Sequence, residues 1–525
     1  MDMDVPPMKF KVTKVEDDPK IIRQSISGDA DFETAISAAG FGKFNFLLCL
    51  CLIPSAWSQL FEAQTLAFVL PIAECDLDLT LEQKGILNSA CFAGMILSSF
   101  IWGYLSDILG RKRVMVYGYL MDWCCMIMAS FSQSFAIMLT AKFLGGFIIN
   151  GPFSAVASLL SEFHSSKYRS RVQLVRGIIV ALGSVTIPLL AWAILPRNWN
   201  FSISGYVAIH SWNIYLLVCS FSSLTSGLIF IFMPESPKFL MSKGRNEEAL
   251  DVFRRVYSMN YGKPKDQYPI KSLVNECCLP DSTASFRRQS VHIIRGFIGT
   301  VKPLFTRQYI FYLILTCVNG FMLLMSTNTL KLWLPQLLQA VNDYQQSYGG
   351  SSDICNMLET LVPANETKTT CEVNLNNSSV YINSTLIGFA QVAVFGLVAI
   401  FLGKISEKIT FGILAVISAI ASVSIYAGQN IPTLMALFAV SLSASGVCAN
   451  ISMTLTLELF PTSIRTSALS LNLMCARLGS VIGSSVFPWL LNSGCLPPFL
   501  FIGLLTFGAG LTLILYPNTK GKTLK

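Results

Sequence analysis

Four ionisable residues stand inside long apolar stretches of this chain: Glu62, Asp122, Lys142 and Arg477. A charge at the centre of a lipid bilayer costs at least about 2.5–3.5 kcal/mol on insertion scales, so each of them needs a partner or a task. A carboxylate there can contact a proton or a cation, and a guanidinium can pair with an anionic solute. The alternatives are that Lys142 or Arg477 neutralises Glu62, and that Asp122 and Arg477 only pack helices together.

A second group of charged residues lies in short polar segments between the apolar stretches. Asp107 follows the second stretch, where its carboxylate can accept hydrogen bonds from the unpaired N–H groups that begin the eleventh helix. Such bonds would hold helix ends together in one conformation and break in another, as a latch does. The alternative is that these charges only fix the orientation of the chain. The candidate latch residues are Gly103, Asp107, Gly110, Arg111, Arg113, Glu162, Arg169, Glu458 and Arg465.

Aromatic residues in the apolar stretches offer a third chemistry. Trp192 and Trp333, together with Trp57 and Phe321, are candidates to line a cavity that takes organic cations through cation–π contacts. The alternative is that they face lipid or belong to the aromatic belt at the membrane interface.

The composition indicates where these residues operate. Of the 525 residues, 53% are hydrophobic and only 13% are charged, and the mean hydropathy is +0.56. A soluble domain carries about 25% charged residues, so the composition excludes soluble enzymes, nucleic-acid binders and disordered scaffolds. Three histidines argue against a metalloenzyme, and the sequence has no Walker phosphate-binding loop. We expect a polytopic membrane protein that is not an enzyme and carries no cofactor.

Twelve membrane spans fit the apolar stretches. A span needs about 20 apolar residues, and turns at Gly, Pro, Asn and Gln clusters divide the longer stretches. The predicted fold is therefore an all-α membrane protein with twelve transmembrane helices. The predicted spans cover 44–72, 85–104, 114–133, 138–160, 174–195, 211–233, 308–334, 384–403, 411–428, 432–456, 467–492 and 497–516.

Basic residues divide unevenly between the two sides of these spans. With both termini in the cytosol, the cytosolic segments hold 32 of the 38 Lys and Arg residues, in agreement with the positive-inside rule. Residues 1–43 are polar, so we expect no cleavable signal peptide before the first span. The cytosolic parts are then a tail over 1–43, a linker over 234–307 and a second tail over 517–525.

The loop predicted over 341–383 carries marks of the opposite, oxidising side. Its two cysteines, Cys355 and Cys371, are sixteen residues apart, and an oxidising compartment favours a disulfide between them. We expect the loop to be glycosylated and to face a vesicle lumen or the cell exterior. Its sequons begin at Asn365, Asn376, Asn377 and Asn383.

The two halves of the chain repeat each other. Segment 103–110 after the second span matches 403–410 after the eighth at an offset of 300 residues. A Glu followed by Arg seven residues later comes after both the fourth and the tenth span, at an offset of 296. Such repeats are typical of transporters built from two parallel six-helix bundles with the substrate site between them. We predict pseudo-symmetric bundles over 44–233 and 308–516.

Several motifs resemble those of known families. Gly103-Tyr-Leu-Ser-Asp-Ile-Leu-Gly-Arg-Lys-Arg113 resembles the signature that the major facilitator superfamily carries between helices 2 and 3. Pro234-Glu-Ser-Pro-Lys-Phe-Leu240 and Pro517-Asn-Thr-Lys-Gly-Lys-Thr-Leu524 resemble motifs of its sugar and organic-ion branches. A narrower resemblance, over nearly the whole chain, is to the synaptic vesicle glycoprotein 2 family and its invertebrate relatives. It is carried by Phe68-Val-Leu-Pro71, Ala191-Trp-Ala-Ile-Leu-Pro196, His210-Ser-Trp212, Leu217-Val-Cys219, Trp333-Leu-Pro335 and Glu458-Leu-Phe-Pro461.

The resemblance implies the major facilitator fold, with helices 1, 4, 7 and 10 lining the cavity, and it makes Glu62 the best candidate for ion coupling. The chain departs from the vesicle family where Gln59 and Met453 replace carboxylates and Ala449 replaces a tryptophan. It also has no room for that family's pentapeptide-repeat insertion between helices 7 and 8. The missing carboxylates put cation coupling through those positions in doubt.

Two functions remain. The first is secondary-active or facilitative transport of a small organic solute, an organic ion above all, by alternating access. The substrate would then sit between helices 1, 4, 5, 7, 10 and 11. The second is a non-transporting vesicle-membrane glycoprotein that acts in regulated secretion through protein partners. Expected partners are the lipid bilayer, the solute, H+ or Na+, and, for the second function, secretory-vesicle proteins in a vesicle or plasma membrane. The substrate and coupling candidates are Glu62, Lys142, Trp192, Trp333 and Arg477.

Overall fold

The computed structural model describes residues 29–197, 199–203, 207–274, 302–348, 354–358, 378–401, 406–461 and 464–516. These ranges are mostly helical, with one antiparallel hairpin of two strands. The strands are β1 (Asn200–Ile203) and β2 (Val207–His210). The helices are α1 (Phe32–Ala39), α2 (Lys43–Ala73), α3 (Leu81–Leu109), α4 (Arg111–Ser130), α5 (Phe135–Glu162), α6 (Ser166–Ile194), α7 (Ser211–Phe232), α8 (Pro237–Ser242), α9 (Asn246–Tyr261), α10 (Ile310–Tyr348), α11 (Ile354–Leu358), α12 (Ser378–Phe401), α13 (Glu407–Ser424), α14 (Ile431–Leu459), α15 (Arg465–Asn492) and α16 (Leu496–Thr512).

Twelve of the described helices correspond one to one with the predicted spans, so the all-α, twelve-helix fold class is confirmed. Ten are long and apolar enough to cross a membrane, and α3 adds an eleventh although its segments Leu81–Ser99 and Ile101–Leu109 meet at 53°. The twelfth, α4, is less apolar because it begins with three basic residues and contains Asp122.

Two helices, α6 and α10, extend furthest beyond their predicted bounds. Helix α10 continues to Tyr348, although the prediction ended it at residue 334 before Pro335. Proline removes one backbone hydrogen bond, but neighbouring groups in a membrane bundle can compensate, so the helix continues through it. Helix α6 begins at Ser166 rather than 174, because its polar first turns have no apolar signal to mark them.

Local sequence signals explain where several helices begin and end. Helix α3 starts with a capping box, in which Gln83 N–H donates to Thr80 Oγ1 at 3.3 Å and Thr80 N–H donates to Gln83 Oε1 at 3.0 Å. Gly110 has a φ of 91°, a left-handed conformation that favours glycine, and it separates α3 from α4.

Glycines bring neighbouring helices into backbone contact. A Cβ atom at Gly146 of α5 would overlap the backbone of Cys91 in α3, and one at Gly94 of α3 would overlap the backbone of Phe143. In the second half of the chain, Gly479 of α15 lies against the backbone of Phe321 in α10. Small residues allow such close approach in membranes, where burying apolar side chains supplies little driving force.

One compact unit within the described residues comprises 29–48, 159–172 and 234–274. In it Phe32 of α1 packs against Phe253 of α9, with ring centroids 6.1 Å apart. The hydroxyl of Tyr268 donates to Ala35 O at 2.7 Å. Because Tyr268 and Ala35 are far apart in the chain, these contacts join the N-terminal segment to the predicted linker.

The predicted disulfide between Cys355 and Cys371 is wrong in its pairing. Cys355 of α11 is bonded to Cys495, which precedes α16, with the two Cα atoms 5.3 Å apart. The prediction used the short sequence separation, whereas the fold brings the turn between α15 and α16 beside α11, 140 residues away in the chain. Cys75 is also disulfide-bonded, and Cys371 lies outside the described residues.

We expect non-reducing digestion of the purified protein to release a peptide pair joined through Cys355 and Cys495. The variant Cys495→Ser should add one alkylatable thiol, at Cys355, while Cys371→Ser should leave the Cys355–Cys495 peptide intact. Mass spectrometry of the digests makes the measurement. Recovery of a Cys355–Cys371 peptide in its place would contradict the structure.

Candidate functional site

A small cavity lies where helices of the first half meet helices of the second. Its volume is about 30 Å³, which holds a water molecule but no organic solute. The lining comes from α2 and α6 on one side and from α10, α12 and α14 on the other. The prediction placed the site between helices 1, 4, 5, 7, 10 and 11. Of these, helices 1, 5, 7 and 10 (α2, α6, α10 and α14) line the cavity and helices 4 and 11 do not, whereas helix 8 (α12) lines it without having been predicted. The polar lining residues are Gln64, Ser184, Lys331, Ser384 and Gln391.

Lys331 supplies the one positive charge of the cavity lining, which contains no acidic residue. Its Nζ donates to Ser184 Oγ at 3.1 Å, and this bond joins α10 to α6. Across the described part of the chain, no carboxylate lies within ion-pair distance of Lys331. An ammonium group has three donors, and one of those of Lys331 has a partner among the residues that the structure describes.

Glu62, the leading coupling candidate, faces away from the cavity. Its Oε2 lies 3.2 Å from Lys142 Nζ, and both side chains are buried. Lys142 Nζ also donates to the backbone oxygen of Glu62 at 3.2 Å and to Thr65 Oγ1 at 3.4 Å. The pair therefore joins α2 to α5, and of the alternatives left open by the sequence, Lys142 rather than Arg477 neutralises Glu62.

The Glu62 carboxylate sits in a space that a glycine provides. A Cβ atom at Gly145 of α5 would overlap Glu62 Oε1. Asp122, in α4, is likewise buried, and its Oδ2 accepts a hydrogen bond from Ser223 Oγ of α7 at 2.5 Å. This contact supports the packing interpretation of Asp122.

Arg477 bridges the two halves of the chain. From α15 its Nη1 donates to Ser99 Oγ of α3 at 3.1 Å, and Asn150 Nδ2 of α5 donates to the same hydroxyl oxygen at 3.2 Å. Arg477 is absent from the cavity lining. Its contacts support the helix-packing role rather than direct pairing with an anionic substrate.

The two tryptophan candidates do not line the cavity. Trp192 is 47% exposed on the protein surface, as a lipid-facing residue would be. Trp333 is buried, and its Nε1 donates to Ser484 O at 3.3 Å while its ring stacks on Phe487 at 5.1 Å. Lys331 and Trp333 are two residues apart, which turns their side chains about 200° from each other on a helix. The prediction therefore chose the wrong face of α10.

Among the described residues, Asp107 makes no bond to the start of helix 11 (α15), in contrast to the prediction. The Asp107 side chain is 75% exposed and pairs with Arg111 of the next helix, Oδ1 to Nη2 at 3.4 Å. Gly103 has open space where a Cβ would lie, and Arg113 is exposed. Gly110 serves as the break between α3 and α4. The latch is therefore open here, and the last turns of α3, Ile101–Leu109, are bent by 53° from the rest of the helix.

We expect Asp107→Ala to change the free energy of unfolding by less than about 1 kcal/mol, since its carboxylate is 75% exposed and ion pairs at the surface contribute little. Denaturant unfolding of purified wild type and variant in the same detergent measures the difference. The exposed pair Arg245–Glu248 offers a matched control through Glu248→Ala. A loss several times larger for Asp107→Ala would mean that its carboxylate contacts a second helix.

Arg169 has a partner that the sequence did not suggest. Its Nη2 lies 3.1 Å from Glu33 Oε2, within the unit formed by 29–48, 159–172 and 234–274. Burial disfavours ionisation of Glu33, but hydrogen bonds from Ser166 and the Arg169 guanidinium outweigh it and hold the Glu33 pKa below its ordinary value. This pair is present above the ordinary pKa of a glutamate and is lost as the pH falls through the lowered pKa. Glu162 is buried nearby in the chain.

The remaining predicted residues are the second-half latch residues and the glycosylation sites. Arg465 Nε donates to Phe460 O at 3.3 Å, and the side chain of Glu458 lies outside the described part. Asn383 lies within α12 rather than in a loop, so we no longer expect a glycan there. Asn365, Asn376 and Asn377 lie outside the described residues and stay predictions.

Lys331 is the residue that the sequence analysis missed. It stands within the seventh predicted span, and a lysine inside a membrane span is by itself a reason to suspect a functional site. It is one of the six basic residues that lie outside the predicted cytosolic segments. This departure from the positive-inside pattern is the sequence signal that could have identified Lys331.

Comparison with known proteins agrees with this architecture. The family model described as Major Facilitator Superfamily matches residues 52–365 and 354–525. The chain is 30% identical over 264 residues to synaptic vesicle glycoprotein 2B of Rattus norvegicus, which covers 50% of this chain and 38% of that protein. It is 31% identical over 230 residues to synaptic vesicle glycoprotein 2A of Rattus norvegicus, covering 44% and 31%. The matches therefore span less than half the length of these relatives.

Solved structures share the fold at low sequence identity. The inward open conformation of the xylose transporter XylE from E. coli has a TM-score of 0.66 at 14% identity, covering 91% of this chain and 98% of that one. Its partially occluded inward open conformation has a TM-score of 0.64 at 11% identity, covering 90% and 99%.

Proposed function

Because this chain belongs to the Major Facilitator Superfamily, we propose that it moves a small organic solute, an organic ion above all, across a membrane by alternating access. The bilayer is its solvent, as the apolar helices require. The solute passes between the two sets of six helices, through the polar cavity that contains Lys331. The proposal covers secondary-active and facilitative transport alike.

The observation that carries the proposal is the uneven contact between α3 and α15. At the predicted extracytosolic end the helices meet at Gly85, where a Cβ atom would lie 2.9 Å from Ser484 O. Arg477 and Ser99 still join them further along. At the predicted cytosolic end Asp107 is exposed, and the partner it has among the described residues is Arg111 of its own half. This is the pattern expected of a transporter closed towards the extracytosolic side and released towards the cytosol.

Glu62 remains the candidate for contact with a coupling ion, H+ or Na+. Solved structures with this fold include one described as a D-xylose-proton symporter, with a TM-score of 0.61 and 14% identity. Its name supports H+ as the first ion to test. Because Lys142 already neutralises Glu62, proton coupling through Glu62 requires that this pair separate during the cycle.

Reconstitution tests the proposal. The purified chain in liposomes is supplied with labelled organic anions, organic cations and sugars, with and without a proton gradient. We expect uptake of at least one class above protein-free liposomes, and its dependence on the gradient tells symport from facilitated movement. Absence of uptake for every class would overturn the proposal.

The names of the relatives favour one alternative, a vesicle-membrane glycoprotein that acts in secretion through protein partners. The unit comprising 29–48, 159–172 and 234–274 offers that function a folded surface on the predicted cytosolic side. Residence in a secretory vesicle suits both functions, and residence in the plasma membrane suits transport. Specific capture of secretory-vesicle proteins by the intact chain, together with absent uptake, would favour the alternative.

A further inference from the structure

Lys331 is a partly buried cation with no carboxylate partner among the described residues, and this sets it apart from the two buried lysines of the membrane helices, Lys84 and Lys142. Lys84 pairs with Glu74 at 2.6 Å and Lys142 pairs with Glu62 at 3.2 Å. Lys331 has the hydroxyl of Ser184 instead. A buried charge is normally paired, because an unpaired one loses its hydration without compensation.

The surroundings of Lys331 supply further groups that suit a polar solute. Gln64 of α2 and Gln391 of α12 line the same cavity, and each carries an amide that can donate two hydrogen bonds. Ser184 and Ser384 add hydroxyl groups from α6 and α12. The lining thus presents one ammonium, several neutral donors and no acidic side chain, which is a composition that favours negative charge.

We propose that the cavity between α2, α6, α10, α12 and α14 binds a small organic anion, with Lys331 as its counter-ion. This inference rests on the proposed transport function and names the charge of its solute. The carboxylate or other acidic group of the solute accepts a hydrogen bond from Lys331 Nζ, and the amides of Gln64 and Gln391 complete the contacts. An organic cation would meet Lys331 without a compensating acid, so the site discriminates against it.

The same geometry couples solute binding to closure. Lys331 and Ser184 lie on opposite halves of the chain, and their 3.1 Å bond brings α10 and α6 together around a cavity of about 30 Å³. A solute enters only after these helices separate and the cavity widens. When the helices close around a solute, the Lys331 ammonium loses water, and a bound anion then supplies the counter-charge that compensates for the lost hydration. The anion therefore lowers the free energy of the closed, loaded state.

Three probes of similar size and different charge test the inference: benzoate, benzamide and benzylammonium. We expect benzoate to raise the thermal unfolding midpoint of the purified full chain and the other two to leave it unchanged. Lys331→Gln should weaken the apparent affinity for benzoate by at least about tenfold, since a charge-assisted hydrogen bond is lost. Lys331→Arg should keep most of the response. The control Lys84→Gln should respond as the wild type does, because Lys84 is already paired.

The comparison of the three probes needs only the wild-type chain, so it stands even where Lys331→Gln does not fold. A response to benzylammonium without one to benzoate would overturn the inference, and so would an unchanged benzoate response in folded Lys331→Gln. Absence of any response to the three probes, followed by uptake of an organic cation in liposomes, would overturn it while leaving transport in place. A benzoate response that depends on Lys331, without uptake of any solute, would keep the anion site and reject transport.

Discussion

Lys142→Met is expected to lower the free energy of unfolding by about 3–5 kcal/mol, because it leaves the Glu62 carboxylate buried without a counter-charge. The two side chains are almost fully inaccessible, 1% for Glu62 and 0% for Lys142. Thr65 and the Glu62 backbone oxygen would also lose their donor. Denaturant unfolding of the purified protein in mixed micelles, followed by intrinsic fluorescence, gives the measurement.

Two further variants separate the ion pair from simple packing. The double variant Glu62→Leu/Lys142→Met should lie much closer to the wild type than Lys142→Met does, because apolar replacement of both partners removes both buried charges. Lys265→Met is the matched surface control, since its partner Asp251 is 3.1 Å away but both side chains are about half exposed, and such pairs contribute about 0–1 kcal/mol. A double variant as unstable as the sum of two independent losses would contradict the pairing.

Gly146→Ala is expected to destabilise the protein by about 3 kcal/mol, the upper part of the usual range for overpacking. The added methyl group would overlap the backbone of Cys91, and a backbone cannot rotate aside as a side chain can. Helices α3 and α5 would have to separate, with loss of the contacts between them. The thermal unfolding midpoint and the size-exclusion profile in detergent measure the effect.

Gly177→Ala in α6 is the matched control, because a Cβ atom at this helical position meets open space. Alanine has the higher helix propensity, so this variant should be neutral or more stable by up to about 1 kcal/mol. The two substitutions are chemically identical and differ only in what surrounds them. Equal effects would contradict the close contact between α3 and α5.

The sequence was most informative about properties that follow from local composition. The number of spans and their approximate bounds come from runs of apolar residues, and each run must satisfy its own backbone hydrogen bonds as a helix in lipid. Bounds failed where a helix leaves the membrane, as at Tyr348 of α10, because polar residues there remain helical without any apolar signal.

The sequence predicted some of the helices that line the candidate site, but it selected residues on the wrong faces of those helices. Glu62 and Trp333 were chosen by residue type, yet the cavity is lined by Gln64 and Lys331, each two positions away. Two positions correspond to about 200° of rotation on a helix. Residue type therefore points to a helix, and only the packing of that helix against its neighbours decides which face meets the cavity.

By itself the sequence determined that this chain is an all-α membrane protein of twelve spans in the Major Facilitator Superfamily, because hydropathy and short motifs are read along the chain. Only the tertiary structure decided that Glu62 pairs with Lys142, that Cys355 joins Cys495, and that Lys331 bonds to the Ser184 hydroxyl and to no carboxylate in the described part of the chain. Each of these depends on which helix faces meet in space. The partners are 80 to 150 positions apart in the chain, and nothing in the local sequence indicates which distant residues come into contact.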